Sequence, residues 1–182
     1  MIFDKREIRN NVRVAVAAMP VEDRLRASEN VCRQILDSTE WKAASTVLLY
    51  SSLPDEVSTD ALINAATASG KRILLPVICP GNELKLCVYD SSQLHKEPLY
   101  GIVEPGEDAL TLADYAVIDL AIIPGRAFTI DGRRLGRGKG YYDRLLPKLR
   151  CPLWGVAFRC QIVPSIPTEP HDAPMRKVLF DR

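Results

Sequence analysis

The 182-residue sequence has only two histidines, no Cys-x-x-Cys pair and no long block of single-sign charge. A structural zinc site needs closely spaced cysteines and histidines, so that class is excluded. The five cysteines, at positions 32, 79, 87, 151 and 160, cannot all pair and read as small core or surface residues, with a catalytic thiol as the remote alternative. No apolar run approaches the roughly 20 residues of a membrane span, and no hydrophobic leader follows Met1, so the expectation is a cytoplasmic, reduced chain. A formal net charge of +1 removes bulk attraction for nucleic acid or an anionic membrane. The thirteen prolines are scattered rather than gathered into a linker, and no repeat is visible, so residues 1–182 are expected to form one domain.

What is present reads as alternating helices and strands. Ile8, Val12, Ala15 and Met19 stand at helical spacing until Pro20, and a second helix follows through Leu25, Val31, Ile35 and Leu36. "TVLLYS" at 46–51 is a short β-prone run. Pro54 marks a loop, Ser58 or Thr59 can cap a helix through Leu62, Ile63 and Ala66, and Gly70 ends it before "RILLPV". "LKLCVY" follows across Pro80, Gly81 and Asn82, close enough for a hairpin. Residues 90–109 look polar and irregular, "VIDLAIIP" at 117–124 and "PLWGVAF" at 152–158 look like buried strands, and "KVLF" closes the set. Trp154 and Phe158 read as core. This order predicts an α/β fold: a three-layer αβα domain around an open, mostly parallel but mixed sheet. Ligands in such sheets bind beyond the carboxyl ends of the strands.

Charge concentrates locally. Between Arg126 and Arg144 stand six cations (Arg126, Arg133, Arg134, Arg137, Lys139, Arg144) against Asp131 and Asp143. At their centre, "RRLGRGKGYYDRLL" spans residues 133–146. Gly136, Gly138 and Gly140 let backbone N–H groups converge, a following helix would add its positive end, and Arg134, Arg137 and Lys139 add full charges, so phosphate is the natural guest. A Walker loop would need glycine at Arg133 and Ser or Thr at Gly140, and a dinucleotide fingerprint would need glycine at Tyr141, so neither applies. Asp143 can serve either a phosphate-bound metal or the helix start. Tyr141 and Tyr142 can stack on a flat ligand or pack.

"IIPGRAFTIDGRRLGRGKGYYDRLL", "PDE", "GIVEP", "IPTEPHD", Lys5 and Arg9 together resemble the ATP-dependent 5-formyltetrahydrofolate cyclo-ligases, also called methenyltetrahydrofolate synthetases. The resemblance spans most of the chain and implies a ligase that converts 5-formyltetrahydrofolate and ATP to 5,10-methenyltetrahydrofolate, ADP and phosphate. It implies attack of the formyl oxygen on the γ-phosphate, ring closure by N10 and loss of phosphate. Lys139 and Arg137 become the catalytic cations. ATP is assigned to Lys5, Arg9, Arg134, Leu135, Gly136, Arg137, Gly138, Lys139, Gly140, Tyr141 and Tyr142. The folate is assigned to Glu56 and Ser51, with Arg137, Gly138, Lys139, Gly140 and Tyr141 shared, and magnesium to Asp143 and Asp172. No role is carried onto His171, and Arg176 stands near the place where the family commonly has a further aspartate. The implied enzyme is a cytoplasmic monomer without nucleic-acid or membrane partners. The alternatives are a non-catalytic RNA or polyanion binder using the basic loop, and a sugar-phosphate or CoA enzyme that works without ATP.

Overall fold

The structure, a computed structural model, describes residues 4–96, 101–106, 108–169 and 172–181. Asp4 opens the first helix. Its carboxylate accepts from the N–H groups of Arg6 (2.8 Å) and Glu7 (2.7 Å), and the Glu7 carboxylate accepts from the Asp4 N–H (3.1 Å). This capping box satisfies donors the helix cannot. It launches α1 (Lys5–Ala17), whose buried stripe is Ile8, Val12 and Val16. The sequence spacing favours Ala15 and Met19 instead, and both are only half-buried.

In α2 (Val21–Leu36), Val31 and Ile35 are buried as expected, while Leu25 is 55% exposed. Ala27 and Ser28 face inward in its place. The Ser28 hydroxyl donates to the Arg24 carbonyl (2.8 Å) and accepts from the Ser58 N–H (3.0 Å), which ties α2 to the entry of α4 (Asp60–Ala68). A third helix, α3 (Thr39–Ala43), is capped by Ser38 and inserts Trp41 into the core.

Six strands form the main sheet: β1 (Thr46–Leu48), β2 (Arg72–Cys79), β3 (Glu83–Val88), β6 (Leu120–Ile123), β9 (Leu153–Ala157) and β10 (Lys177–Phe180), in the order β10-β9-β6-β1-β2-β3. All neighbours are parallel except β2 and β3, which form the expected hairpin. The sheet is therefore mixed and mostly parallel.

Side chains alternate across the sheet. Val47, Leu49, Leu120 and Ile122 join the core under α1, α2 and α4, whereas Leu48, Ala121 and Ile123 face a second core with Phe128, Leu145, Leu146 and Met175. That second face is covered by α5 (Tyr141–Leu145), a following 3-10 turn and loop segments. Trp154 and Phe158 are buried in the first core.

Two short hairpins stand apart from the sheet: β4 (Leu94–Lys96) with β5 (Val103–Pro105), and β7 (Ala127–Phe128) with β8 (Arg134–Leu135). The first lies where the sequence pattern suggests only irregular chain.

The register of β1 against β6 is fixed partly by Asp119. Its Oδ2 accepts from the N–H groups of Ser45 and Thr46, both at 2.8 Å. Asp119→Ala is expected to destabilise the protein by about 1 kcal/mol, read as a lower urea midpoint at unchanged slope.

Strand order reverses between β1 and β6: β2 lies on one side of β1 and β6 on the other. The loops leaving these two strands diverge and open a crevice, the favoured ligand position in such sheets.

Candidate functional site

The loop after β1 begins the site. Leu53, Pro54, Asp55 and Glu56 form a tight turn in which the Glu56 N–H donates to the Leu53 carbonyl (3.0 Å). Pro54 presets the backbone for that turn. Glu56 folds back so that its Oε2 accepts from the Leu53 N–H (3.0 Å) and its Oε1 accepts from Arg137 Nε (3.0 Å). Burial pushes the Glu56 carboxyl above its ordinary range, although Arg137 and the Leu53 N–H pull the other way. Asp55, one residue earlier, accepts from Arg126 Nη1 (2.9 Å) and from both terminal nitrogens of Arg137. Burial would raise its carboxyl too, but those arginines outweigh it and hold it below the ordinary value.

The loop after β6 supplies the opposite wall. Pro124 and Gly125 reach the cleft, and the chain then folds into the β7–β8 hairpin before the glycine-rich stretch. Gly138 (φ +107°) and Gly140 (φ +74°) adopt left-handed conformations that glycine tolerates without strain. Gly136 does not; its carbonyl accepts from Arg9 Nε (2.8 Å), which docks α1 against the loop. The helix that follows is five residues long, so its dipole adds far less than a full helix would.

Tyr50, Ser51, Leu53 and Glu56 line one side of the resulting cleft, and Pro76, Ile78 and Leu84 of the β2–β3 hairpin form an apolar wall. The other side is formed by Arg134, Gly136, Arg137, Lys139, Gly140, Tyr141, Tyr142 and Asp143. Ten of the residues singled out from sequence thus share one cavity.

They are not equivalent within it. Arg134 turns inward: its Nε donates to the Pro124 carbonyl (2.8 Å), its Nη1 pairs with Asp143 Oδ1 (3.0 Å), and its guanidinium lies 5.1 Å from the Tyr142 ring centroid. Arg137 lies across the cleft with its guanidinium on Asp55 and Glu56. Lys139 is exposed, and among the described residues no carboxylate lies within ion-pair distance of it. Burial raises the pKa of the Tyr142 hydroxyl, and nearby Glu56 adds to the effect.

Five sequence candidates lie outside the lining: Lys5, Arg9, Leu135, Gly138 and Asp172. Leu135 is buried in the core, and its carbonyl accepts from the Arg126 N–H (2.7 Å). Arg9 touches the loop from behind; its guanidinium carbon is 3.7 Å from where a Cβ on Gly138 would stand. Lys5 Nζ pairs with Glu169 Oε1 (2.9 Å) and lies 3.7 Å from Asp172 Oδ2, and that oxygen also accepts from the Glu169 N–H (2.8 Å). His171 lies outside the described residues.

No group of three or more His, Cys, Asp or Glu side chains able to hold a metal occurs among the described residues. Magnesium bound to nucleotide needs only one or two protein carboxylates, because phosphate and water complete its octahedron. Asp143, in the cleft with Oδ1 on Arg134, fits that requirement. A catalytic thiol does not fit: burial pushes Cys32 and Cys151 up to about 11, away from the thiolate. Among the described residues no helix is long and apolar enough to cross a membrane.

Asp55 and Arg126 carry no assigned role in the sequence reading, yet they anchor the centre of this network. "PDE" and "PGR" each follow a buried strand, but their meeting depends on β1 and β6 being neighbours.

The pattern of the 5-formyltetrahydrofolate cyclo-ligase family matches residues 2–181. The mouse protein named 5-formyltetrahydrofolate cyclo-ligase is 30% identical over 192 residues, covering 97% of this chain and 93% of the mouse protein. Its Haemophilus influenzae namesake is 32% identical over 181 residues, covering 96% of each. The solved structure of Aquifex aeolicus 5,10-methenyltetrahydrofolate synthetase superposes with a TM-score of 0.84 at 31% identity, covering 98% of this chain and 92% of that one. The Mycoplasma pneumoniae synthetase, at 22% identity, shares the fold with a TM-score of 0.80 and covers 99% and 100%. With the family pattern matched over residues 2–181, the chain belongs to the 5-formyltetrahydrofolate cyclo-ligase family.

Proposed function

We infer that this protein closes 5-formyltetrahydrofolate to 5,10-methenyltetrahydrofolate with ATP, and that the cleft between the loops after β1 and β6 is where the two substrates meet. One observation carries the residue assignment: a buried carboxylate, Glu56, an apolar wall and a glycine-rich cationic loop share one cavity at the reversal point of the sheet. A flat heterocycle with N–H donors suits the first two, and a triphosphate suits the third.

In this reading Glu56 accepts hydrogen bonds from the pterin, displacing Arg137 Nε from its Oε1. Arg137 keeps its hold on Asp55 and turns its charge toward the transferring phosphoryl group. Lys139 contributes the second cation, and the Gly136–Gly140 backbone holds the phosphates. The formyl oxygen attacks the γ-phosphorus and ADP leaves. N10 then adds to the activated carbon, phosphate departs with the former formyl oxygen, and the N10 proton is lost as the ring becomes methenyl. The loop's part is to position and to stabilise charge, which dominates phosphoryl transfer.

Magnesium, when bound with ATP, neutralises phosphate charge, and Asp143 is the cleft carboxylate that would hold it. Asp172, beside Lys5, is assigned to the same ion by resemblance. Asp143→Asn is expected to raise the magnesium concentration for half-maximal rate about 10-fold, in titrations at fixed ATP; an unaltered titration would remove the metal assignment. The enzyme is read as a cytoplasmic monomer.

The test is direct. Purified protein is mixed with 5-formyltetrahydrofolate and Mg-ATP and followed by the ultraviolet absorbance of methenyltetrahydrofolate. Product requiring both ATP and magnesium supports the reading, and folded protein that binds ATP without forming product sinks it.

A further inference from the structure

We propose that Arg126 is a positioning residue of this active site: it neutralises Asp55 from below, so that Asp55 can aim the Arg137 guanidinium across the cleft without cancelling its charge. The proposal rests on the role given above to Arg137.

Arg126 leaves β6 at the strand-order reversal, and Asp55 lies in the loop leaving β1, its parallel neighbour. Their side chains meet across that reversal, with Nη1 2.9 Å from Oδ2. The Arg126 side chain is 9% exposed, so its head is fixed within the protein. Its backbone is fixed too: the N–H donates to the Leu135 carbonyl (2.7 Å), and the carbonyl accepts from Gln161 Nε2 (3.1 Å). Gln161 is itself buried, and its amide also bonds the Gly125 carbonyl (3.0 Å) and the Phe158 N–H (2.7 Å). A buried amide with those three bonds leaves Arg126 little freedom in where it points.

The charges alternate Arg126, Asp55, Arg137, Glu56, and the set sums to zero. Without Arg126 the two carboxylates would share Arg137 alone. When substrate takes Glu56, Asp55 and Arg137 would then be left as a neutral pair, and little of the Arg137 charge would reach a phosphate. With Arg126 in place the same trio keeps one net positive charge after Glu56 turns to the substrate. A low-polarity cleft magnifies that difference.

The experiment measures kcat and both KM values for wild type, R137Q, R126K, R126Q, D55N and R126Q/D55N, with thermal melting of each. R126Q is expected to lose about 10-fold or more in kcat while KM for 5-formyltetrahydrofolate changes less, and R126K is expected to stay within about 3-fold of wild type. If Arg126 acts through Asp55, the double variant is no slower than D55N alone. That comparison stands even where R126Q folds poorly, because D55N removes the carboxylate that would be left uncompensated. Losses that multiply in the double variant, or an unchanged kcat in R126Q, would overturn the proposal. R137Q with wild-type kcat would instead overturn the role of Arg137, and the proposal with it.

Discussion

Lys139→Ala lowers kcat by about 10²- to 10³-fold while the melting temperature barely moves. Both halves of this expectation come from position. Lys139 is exposed at the cleft and, among the described residues, has no ion-pair partner, so its removal breaks no buried network. A surface substitution of that kind changes stability by no more than about 0.5 kcal/mol. Its effect on turnover is different in kind, because charge accumulates on the transferring phosphoryl oxygens only as the formyl oxygen approaches. A cation that gains interaction between ground state and transition state raises kcat rather than binding. The loss should therefore fall on kcat, with KM for ATP changing by less than about 3-fold. Steady-state kinetics with both substrates varied measures this, and turnover equal to wild type would show Lys139 to be a solvated surface cation.

Glu56→Gln is expected to weaken 5-formyltetrahydrofolate about 10- to 100-fold and to leave ATP affinity nearly unchanged. A hydrogen bond to a charged group contributes about 1.5–3 kcal/mol, and the amide keeps the shape while losing the charge. Equal weakening of both ligands in calorimetric titrations would count against the pterin assignment. A pH dependence accompanies it. Burial raises the Glu56 pKa, with Arg137 and the Leu53 N–H opposing and Asp55 reinforcing the rise. Folate binding requires the carboxylate, so affinity falls as pH drops through that raised value, and the Gln variant lacks this fall. The sign for folding is opposite. The folded state binds the Glu56 proton more tightly than the unfolded chain does, so this group stabilises the fold as pH falls and costs stability above its folded pKa. Loss of the charge in Glu56→Gln is thus no cause of gross unfolding, and melting should stay within a few degrees of wild type.

The parts of the fold legible in the sequence were those with enough residues to carry a period. β6 and β9 are continuous apolar runs, and the β2–β3 connection is announced by Pro80, Gly81 and Asn82. Short elements outside an apolar run carry no such signal. β4 and β5 have three residues each, and α3 has five. Helix faces were legible only to within one position, because spacings of three and four both satisfy a helix; Val16 rather than Ala15 completes the α1 stripe.

The site divides along the same line. The glycine-rich loop is contiguous in sequence, so its residues could be singled out together. Pairing across strands was hidden: Arg126 with Asp55, Arg137 with Glu56, and Arg134 with Asp143 each depend on strand order and backbone turns. Composition could count these cations, but only the fold distinguishes the inward Arg134 from the exposed Lys139.

The central claim is that the formyl oxygen itself attacks the γ-phosphate in this cleft. It is tested most directly with 5-formyltetrahydrofolate carrying oxygen-18 in the formyl group, by mass spectrometry of the phosphate released in a single turnover. The account predicts one labelled oxygen in each phosphate. Unlabelled phosphate accompanying methenyl product would contradict it, since the formyl oxygen would then have left by another route.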